Sequence, residues 1–152
     1  MESKDMIVGE VISQGVAFGD VCLFKEDLLQ SAPKYYISKD KIEEEKKRLI
    51  NAIENSKREL SKRYNLIVES LGISEAQVFN AHIMILEDFS FIDKIEGYIQ
   101  DELVNAEEAI LKTTLLYEEK FNTFTEEYFR ERIEDIKEIA KILLKNLGEE
   151  HS

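Results

Sequence analysis

"AHIMILED", residues 81–88, places four consecutive apolar residues between a histidine and two acids. At about 100° per residue, a helix here has a predicted core face formed by Ala76, Phe79, Ile83 and Leu86. Met84, Ile85 and Asp88 point away from that face. The second apolar strip either completes a bundle core from two sides or is exposed and docks a partner. From the pattern alone, packing is the simpler interpretation.

Helical patterns precede and include this stretch. Ser38 is a candidate N-cap for a long helix that ends at Gly72. The apolar stripe of this helix is Ile42, Leu49, Ile53, Leu60, Tyr64, Ile67 and Leu71. Ser74 and Gln77 have the spacing of a capping box, which predicts a second helix running through about Glu87.

Three further helices are predicted after residue 88. Ser90 can cap a short helix to about Leu103, and Asn105 can cap a fourth. The fourth helix has one apolar face, formed by Ala106, Ile110, Thr113, Tyr117, Phe121 and Phe124. The fifth carries a stripe of Phe129, Ile133, Ile136, Ala140, Leu143 and Leu147. Gly148 is predicted to end it.

The beginning of the chain has a different character. Residues 6–24, "MIVGEVISQGVAFGDVCLF", contain three glycines and several valines, which predicts a strand, a turn near Ser13–Gly15 and a second strand. The predicted fold is therefore mainly α: an antiparallel bundle of about five helices preceded by a short β hairpin. We place the hairpin and its loop in residues 1–37, the bundle in residues 38–148 and a tail in residues 149–152.

Charge and composition restrict the partners. The 152 residues carry a net charge of -12, which argues against nucleic acid and against an anionic membrane surface, because both attract basic proteins. A basic partner protein suits the charge better. The single cysteine, Cys22, excludes an internal disulfide. With no secretory signal and no apolar run of about 18 residues, we predict a cytoplasmic protein.

Little in the sequence points to catalysis or metal binding. The two histidines, His82 and His151, lack the H-x-x-x-H or cysteine spacing of a metal site. Acids surround His82 in the sequence, which is the wrong sign for a phosphoryl acceptor. A packing or interface role is predicted for it, and Cys22 is interpreted as a small core residue. We predict no catalytic residue, no metal ligand and no cofactor in this chain.

Two separated blocks resemble the amino-terminal region of enzyme I of the phosphotransferase system, the phosphoenolpyruvate–protein phosphotransferase. They are "FNAHIMILED" and "EEYFRERIEDIKEIAKILLKNLG". The residues that match the family pattern are Phe79, His82, Ile83, Met84, Leu86, Glu87, Asp88, Tyr128, Arg132, Asp135, Leu144, Asn146 and Gly148. The opening also matches, with Ser13, Gly15, Ala17 and Gly19, although Gln14 stands where proline is usual. The similarity runs from about Val8 to Gly148.

The resemblance implies a helical domain that docks the phosphocarrier HPr, beside an α/β domain that carries the phosphohistidine. Residues 1–37 would begin that α/β domain. The residues implied to face HPr or a related phosphocarrier are His82, Met84, Ile85, Asp88, Phe91, Phe121, Phe129 and Arg132. Magnesium is expected for the full-length enzyme. Phe89-Ser90 and Ile73-Ser74 replace acids that are common in the family, which predicts a more apolar dock.

The sequence contains no Gly-Gly-x-x-Ser-His stretch, which is the family's phosphorylation site. The first hypothesis is therefore the HPr-docking part of enzyme I, inactive as a catalyst by itself, which needs the rest of the enzyme for transfer. A free-standing helical adaptor that binds HPr or a relative without phosphoryl transfer is the alternative. A structural bundle with no phosphocarrier partner is the third hypothesis.

Overall fold

The computed structural model describes the backbone of residues 31–150 and the side chains of residues 31–148. From Ala32 onward these residues belong to one compact unit. Five α-helices follow a 3-10 turn at Lys39–Lys41: α1 Ile42–Leu71, α2 Ile73–Leu86, α3 Phe89–Glu102, α4 Ala106–Phe121 and α5 Glu127–Glu150. The predicted mainly α fold with five helices is confirmed. The β hairpin predicted within residues 6–24 lies outside the described residues.

The helices form an antiparallel arrangement. Gly72 reverses the chain between α1 and α2 with a φ of 107°, a value that favours glycine. Phe91 near the start of α3 contacts Tyr117 near the end of α4, and Lys137 in the first half of α5 pairs with Glu118 near the end of α4. Helix α2 packs against both α1 and α5. Among the described helices, none combines the length and apolar character needed to span a bilayer.

The apolar stripes predicted for α1 and α5 contribute to the core, with three residues from the first stripe and five from the second. Leu49, Ile53 and Leu60 of α1 are buried, whereas Leu71 at the end of the same stripe is exposed. Fully enclosed aliphatic side chains come from all five helices: Leu49, Leu60, Leu86, Ile95, Ile99, Ile110, Ile139, Leu143 and Leu147. The long helix α1 therefore extends beyond the core at its carboxyl end.

Three predicted N-caps are corrected by the structure. The Ser38 hydroxyl donates to Asp40 Oδ1 at 2.5 Å and caps no backbone amide, and α1 begins four residues later. Ser74 lies inside α2, whose N-cap is Gly72.

Asp88, not Ser90, caps α3, because its carboxylate accepts from the Ser90 amide at 2.9 Å. The predicted cap at Asn105 is confirmed, since its side-chain oxygen accepts from the Glu108 amide.

The predicted end of the last helix is wrong. Helix α5 continues through Gly148 to Glu150. A glycine in a helix costs about 1 kcal/mol relative to alanine, which the burial of Leu147 and the preceding apolar residues can offset. Glycine permits a helix to end but does not require it.

A buried polar cluster fixes the start of α4 against α1. The Arg48 guanidinium donates to Glu45 Oε2 at 2.6 Å and to Glu107 Oε2 at 2.5 Å. The Ala106 amide donates to the same Glu45 oxygen at 2.7 Å, and Asn105 Nδ2 donates to the Pro33 carbonyl at 2.8 Å. One guanidinium and a helix N-terminus thus balance two buried carboxylates. The cluster holds residues 33–37 and α4 in one arrangement.

Candidate docking surface

The junction of α2 and α3 meets α4 and α5 at a surface pocket of about 280 Å³. We call it the aromatic pocket. Its lining residues are Ile85, Asp88, Ser90, Phe91, Tyr117, Phe121, Arg132 and Ile136. Five of the eight predicted site residues therefore meet at one place, although they come from four helices and the turn between two of them.

A row of aromatic rings extends this pocket along α4 and α5. Ring centroids lie 6.0 Å apart for Phe91 and Tyr117, and 5.8 Å apart for Tyr117 and Phe121. Phe129 continues the row 5.4 Å from Phe121, and Phe124 stacks on it at 4.4 Å. These spacings are typical of stabilising aromatic pairs. The predicted site residue Phe129 thus joins the pocket through its contact with Phe121.

Charged groups of both signs border the pocket. Asp88 is exposed at the start of α3, and Arg132 is half-buried on α5. Among the described residues, Arg132 has no ion pair, so its guanidinium can meet an anionic group of a partner. Burial raises the pKa of the Tyr117 phenol, the Asp88 carboxylate raises it further, and Arg132 lowers it. The tyrosine therefore remains a neutral hydrogen-bonding group in the ordinary pH range.

Met84 and Phe89 are two of the exposed large apolar residues at this end of the molecule. Met84 in the last turn of α2 is 60% exposed, in agreement with its predicted position off the core face. Phe89 begins α3 and is 82% exposed. Because these large apolar side chains keep most of their contact with water in the folded chain, they are candidates for burial against a partner.

The prediction that Ile85 points away from the core is wrong. Ile85 is only 3% exposed, and Ile83, which was assigned to the core face, is less buried. Helix α2 contacts both α1 and α5. The apolar strip that the helical periodicity placed off the core face is therefore partly covered. Phe91, at 2% exposure, is also a core residue. Both residues form the base of the pocket.

His82 is a buried packing residue in this structure. It is 6% exposed, and its Nε2 atom lies 3.2 Å from Asp135 Oδ1 on α5. This contact joins α2 to α5 beneath the predicted site. Only a small part of its side chain is open to a partner, and its predicted place in the docking site stays a prediction.

Sequence reasoning missed three residues that line the pocket: Ser90, Tyr117 and Ile136. Tyr117 lies four residues before Phe121, and Ile136 lies four residues after Arg132. Helical spacing from a predicted site residue could therefore have identified both. Ser90 is predicted as the cap of α3, whereas in the structure Asp88 caps this helix and Ser90 lines the pocket.

No group of three or more potential metal ligands occurs in the described part of the chain.

Two proteins similar to this chain carry the name of the family that its sequence resembles. A phosphoenolpyruvate-protein phosphotransferase of Latilactobacillus sakei is 37% identical over 138 residues, covering 88% of this chain and 24% of that protein. One of Enterococcus faecalis is 35% identical over 148 residues, covering 95% and 25%. The chain thus spans about a quarter of the length of these relatives.

A solved structure agrees with the fold. The solution NMR structure of an enzyme I protein superposes with a TM-score of 0.73 at 28% sequence identity, covering 76% of this chain and 47% of the other. The predicted resemblance to enzyme I is confirmed. Because the family described as "PEP-utilising enzyme, N-terminal" matches residues 8–132, the chain belongs to this family.

Proposed function

We propose that residues 38–148 form the domain with which a phosphoenolpyruvate–protein phosphotransferase docks the phosphocarrier HPr. The observation that carries this proposal is the aromatic pocket, where five of the residues implied by the family resemblance lie on a single surface. Residues 1–37 would then begin the neighbouring α/β domain. The whole enzyme would work in the cytoplasm and use magnesium.

The pocket supports docking by its chemistry. Buried Ile85 and Phe91 and the half-buried Phe121 give an apolar base, which Met84 can extend with an exposed thioether side chain. Asp88 and Arg132 add charges of opposite sign at the edge. Interfaces commonly combine a desolvated apolar centre with a charged rim that sets orientation. A small carrier protein with a basic and apolar face fits such a surface.

The binding test is titration of isotopically labelled HPr from the same organism with this chain, followed by NMR. We expect saturable shifts, and reciprocal labelling should map the contact to Met84, Phe121 and Arg132. Absence of binding, or shifts elsewhere on the chain, would overturn the assignment of this surface.

Catalysis is assigned to the rest of the enzyme. The sequence has two histidines, His82 and His151. His82 is buried beside Asp135. We therefore expect no transfer of radiolabelled phosphate from phosphoenolpyruvate to this chain in the presence of magnesium. A homologous full-length enzyme is the positive control. Stable label on His82 would contradict the proposal that this domain only docks.

A further inference from the structure

A second groove runs between α3 and α4 and shares only Ser90 with the aromatic pocket. It consists of two adjoining pockets of about 510 Å³ each, which have Tyr98, Glu102 and Leu116 in common. We call it the α3–α4 groove. Both pockets exceed the aromatic pocket in volume, and nothing in the proposed docking of HPr uses them.

The floor of the α3–α4 groove is apolar. Tyr98, Leu115 and Leu116 line it, and Leu115 is 52% exposed although it lies in the middle of α4. Gly97 leaves the groove open, because a Cβ atom at that position would meet no heavy atom within 4 Å. Amphipathic helices commonly bind by placing their apolar face in such an apolar groove.

The rim of the groove is acidic. Five carboxylates line it, from Asp93, Asp101, Glu102, Glu118 and Glu119, against the two lysines Lys94 and Lys112. Glu102 pairs with Lys112 at 3.2 Å and Glu118 with Lys137 at 2.9 Å. Within residues 31–148, the other three carboxylates make no ion pair. Their charge is therefore available to a cationic ligand.

We propose that the α3–α4 groove binds a basic amphipathic helix of a partner protein. From Ser90 to Glu102 the groove is about 18 Å long at 1.5 Å per residue, which matches about three turns of a helix. Leucine-type residues at helical spacing would cover Tyr98 and Leu115, and lysine or arginine residues would meet the free carboxylates. A second copy of this chain is disfavoured, because two molecules of charge -12 repel each other.

The probe is a fluorescein-labelled synthetic peptide of 14 residues, the length of α3, with leucines on one helical face and lysines elsewhere. One control peptide has the same composition with the leucines scrambled around the helix. The other has glutamate in place of lysine. Fluorescence anisotropy with the full chain measures affinity, and amide shifts in NMR spectra locate the site.

We expect the amphipathic basic peptide to bind and to shift the amides of Gly97, Tyr98 and Leu115. The scrambled peptide should bind at least about tenfold more weakly, and the acidic peptide should not bind. Equal binding of the scrambled peptide would show general attraction to an acidic protein and overturn the proposal. Shifts centred on Met84 and Arg132 would do the same, since they would place the peptide at the aromatic pocket.

Gly97→Leu tests the groove directly, because it fills the open space without a backbone clash. We expect it to weaken the basic peptide about tenfold or more. Gly148→Leu is the matched control: Gly148 is also helical, and a Cβ there also meets nothing within 4 Å, but it lies outside the groove. Should Gly97→Leu fail to fold, Leu115→Gln is the second variant. Unchanged affinity in a folded groove variant would refute the site.

Discussion

Single residues decide the chemistry of the aromatic pocket. Asp88 has two roles there, since it caps α3 through the Ser90 amide and places a negative charge beside Tyr117 and opposite Arg132. Met84 has neither role and is mostly exposed. Substitutions at these positions can therefore separate folding from binding.

Met84→Ala should weaken HPr binding about 30-fold if Met84 is a central contact worth about 2 kcal/mol. The free energy of unfolding of this variant should differ from that of the wild type by no more than about 0.5 kcal/mol, because the Met84 side chain is exposed. Titration calorimetry measures the affinity and urea unfolding the stability. Unchanged affinity would remove Met84 from the dock.

Asp88→Asn and Asp88→Ala should behave differently. Asparagine keeps the cap, so Asp88→Asn should leave stability nearly unchanged and slow association with HPr only at low salt. Alanine removes the cap and should cost about 0.5–2 kcal/mol of stability. Stopped-flow binding at two salt concentrations and urea unfolding test both. Equal stability of the two variants would contradict the capping role.

The Tyr117 phenol should titrate above the usual tyrosine range. Its raised pKa means that the folded state favours the neutral phenol, so this contribution to stability is present below the unfolded pKa and is lost as pH rises through the folded value. Asp88→Asn should lower the pKa and Arg132→Gln should raise it. NMR titration with ring-labelled tyrosine measures each shift. Shifts of the opposite sign would contradict the charge arrangement around the pocket.

At the scale of elements, the glycines of this bundle have different roles. Gly97 lies inside α3 with ordinary helical geometry, whereas Gly72 between α1 and α2 has a φ of 107°. Replacement by alanine should therefore have opposite effects at the two sites.

Gly97→Ala should stabilise the protein by about 0.5–1 kcal/mol, because alanine has the higher helix propensity and open space for its Cβ. Gly72→Ala should destabilise it by about 1–3 kcal/mol, since an L-residue is strained at that φ. Thermal and urea unfolding compare both variants with the wild type. The same sign in both variants would contradict these backbone roles.

At the scale of the whole molecule, stability depends on contacts between distant segments. Leu143 of α5 is fully enclosed, and Ile136 and Ala140 on the same face are buried as predicted. Asn146 of α5 donates to the Ser56 hydroxyl of α1 at 2.8 Å, which satisfies polar groups inside the same interface.

Leu143→Ala should cost about 2–5 kcal/mol, the range observed when a buried leucine leaves a cavity. Urea unfolding gives the free energy, and Met84→Ala serves as the exposed control. Comparable losses in the two variants would mean that Met84 is also a core residue, which would remove the main exposed apolar group of the proposed dock.

The sequence by itself determined the family, the number of helices, the turn at Gly72 and the cap at Asn105. These features depend on short-range physics: glycine at positive φ, a side chain bonding an amide three residues away, and apolar residues at helical spacing. The buried stripe of Ile136, Ala140 and Leu143 was predictable for the same reason. Five of the residues that line the aromatic pocket are also among those that the family resemblance implied to face a phosphocarrier.

Tertiary structure alone decided which face of α2 is covered. The helical periodicity assigned Ile83, and not Ile85, to the core face. Because α1 and α5 both pack on α2, Ile85 and His82 are buried, whereas Met84 is exposed. Arg48 likewise pairs with Glu107, which lies 59 positions later in the chain. Periodicity shows that a helix has an apolar face, but the neighbours that cover it come from distant segments, and their positions depend on the packing of the whole bundle.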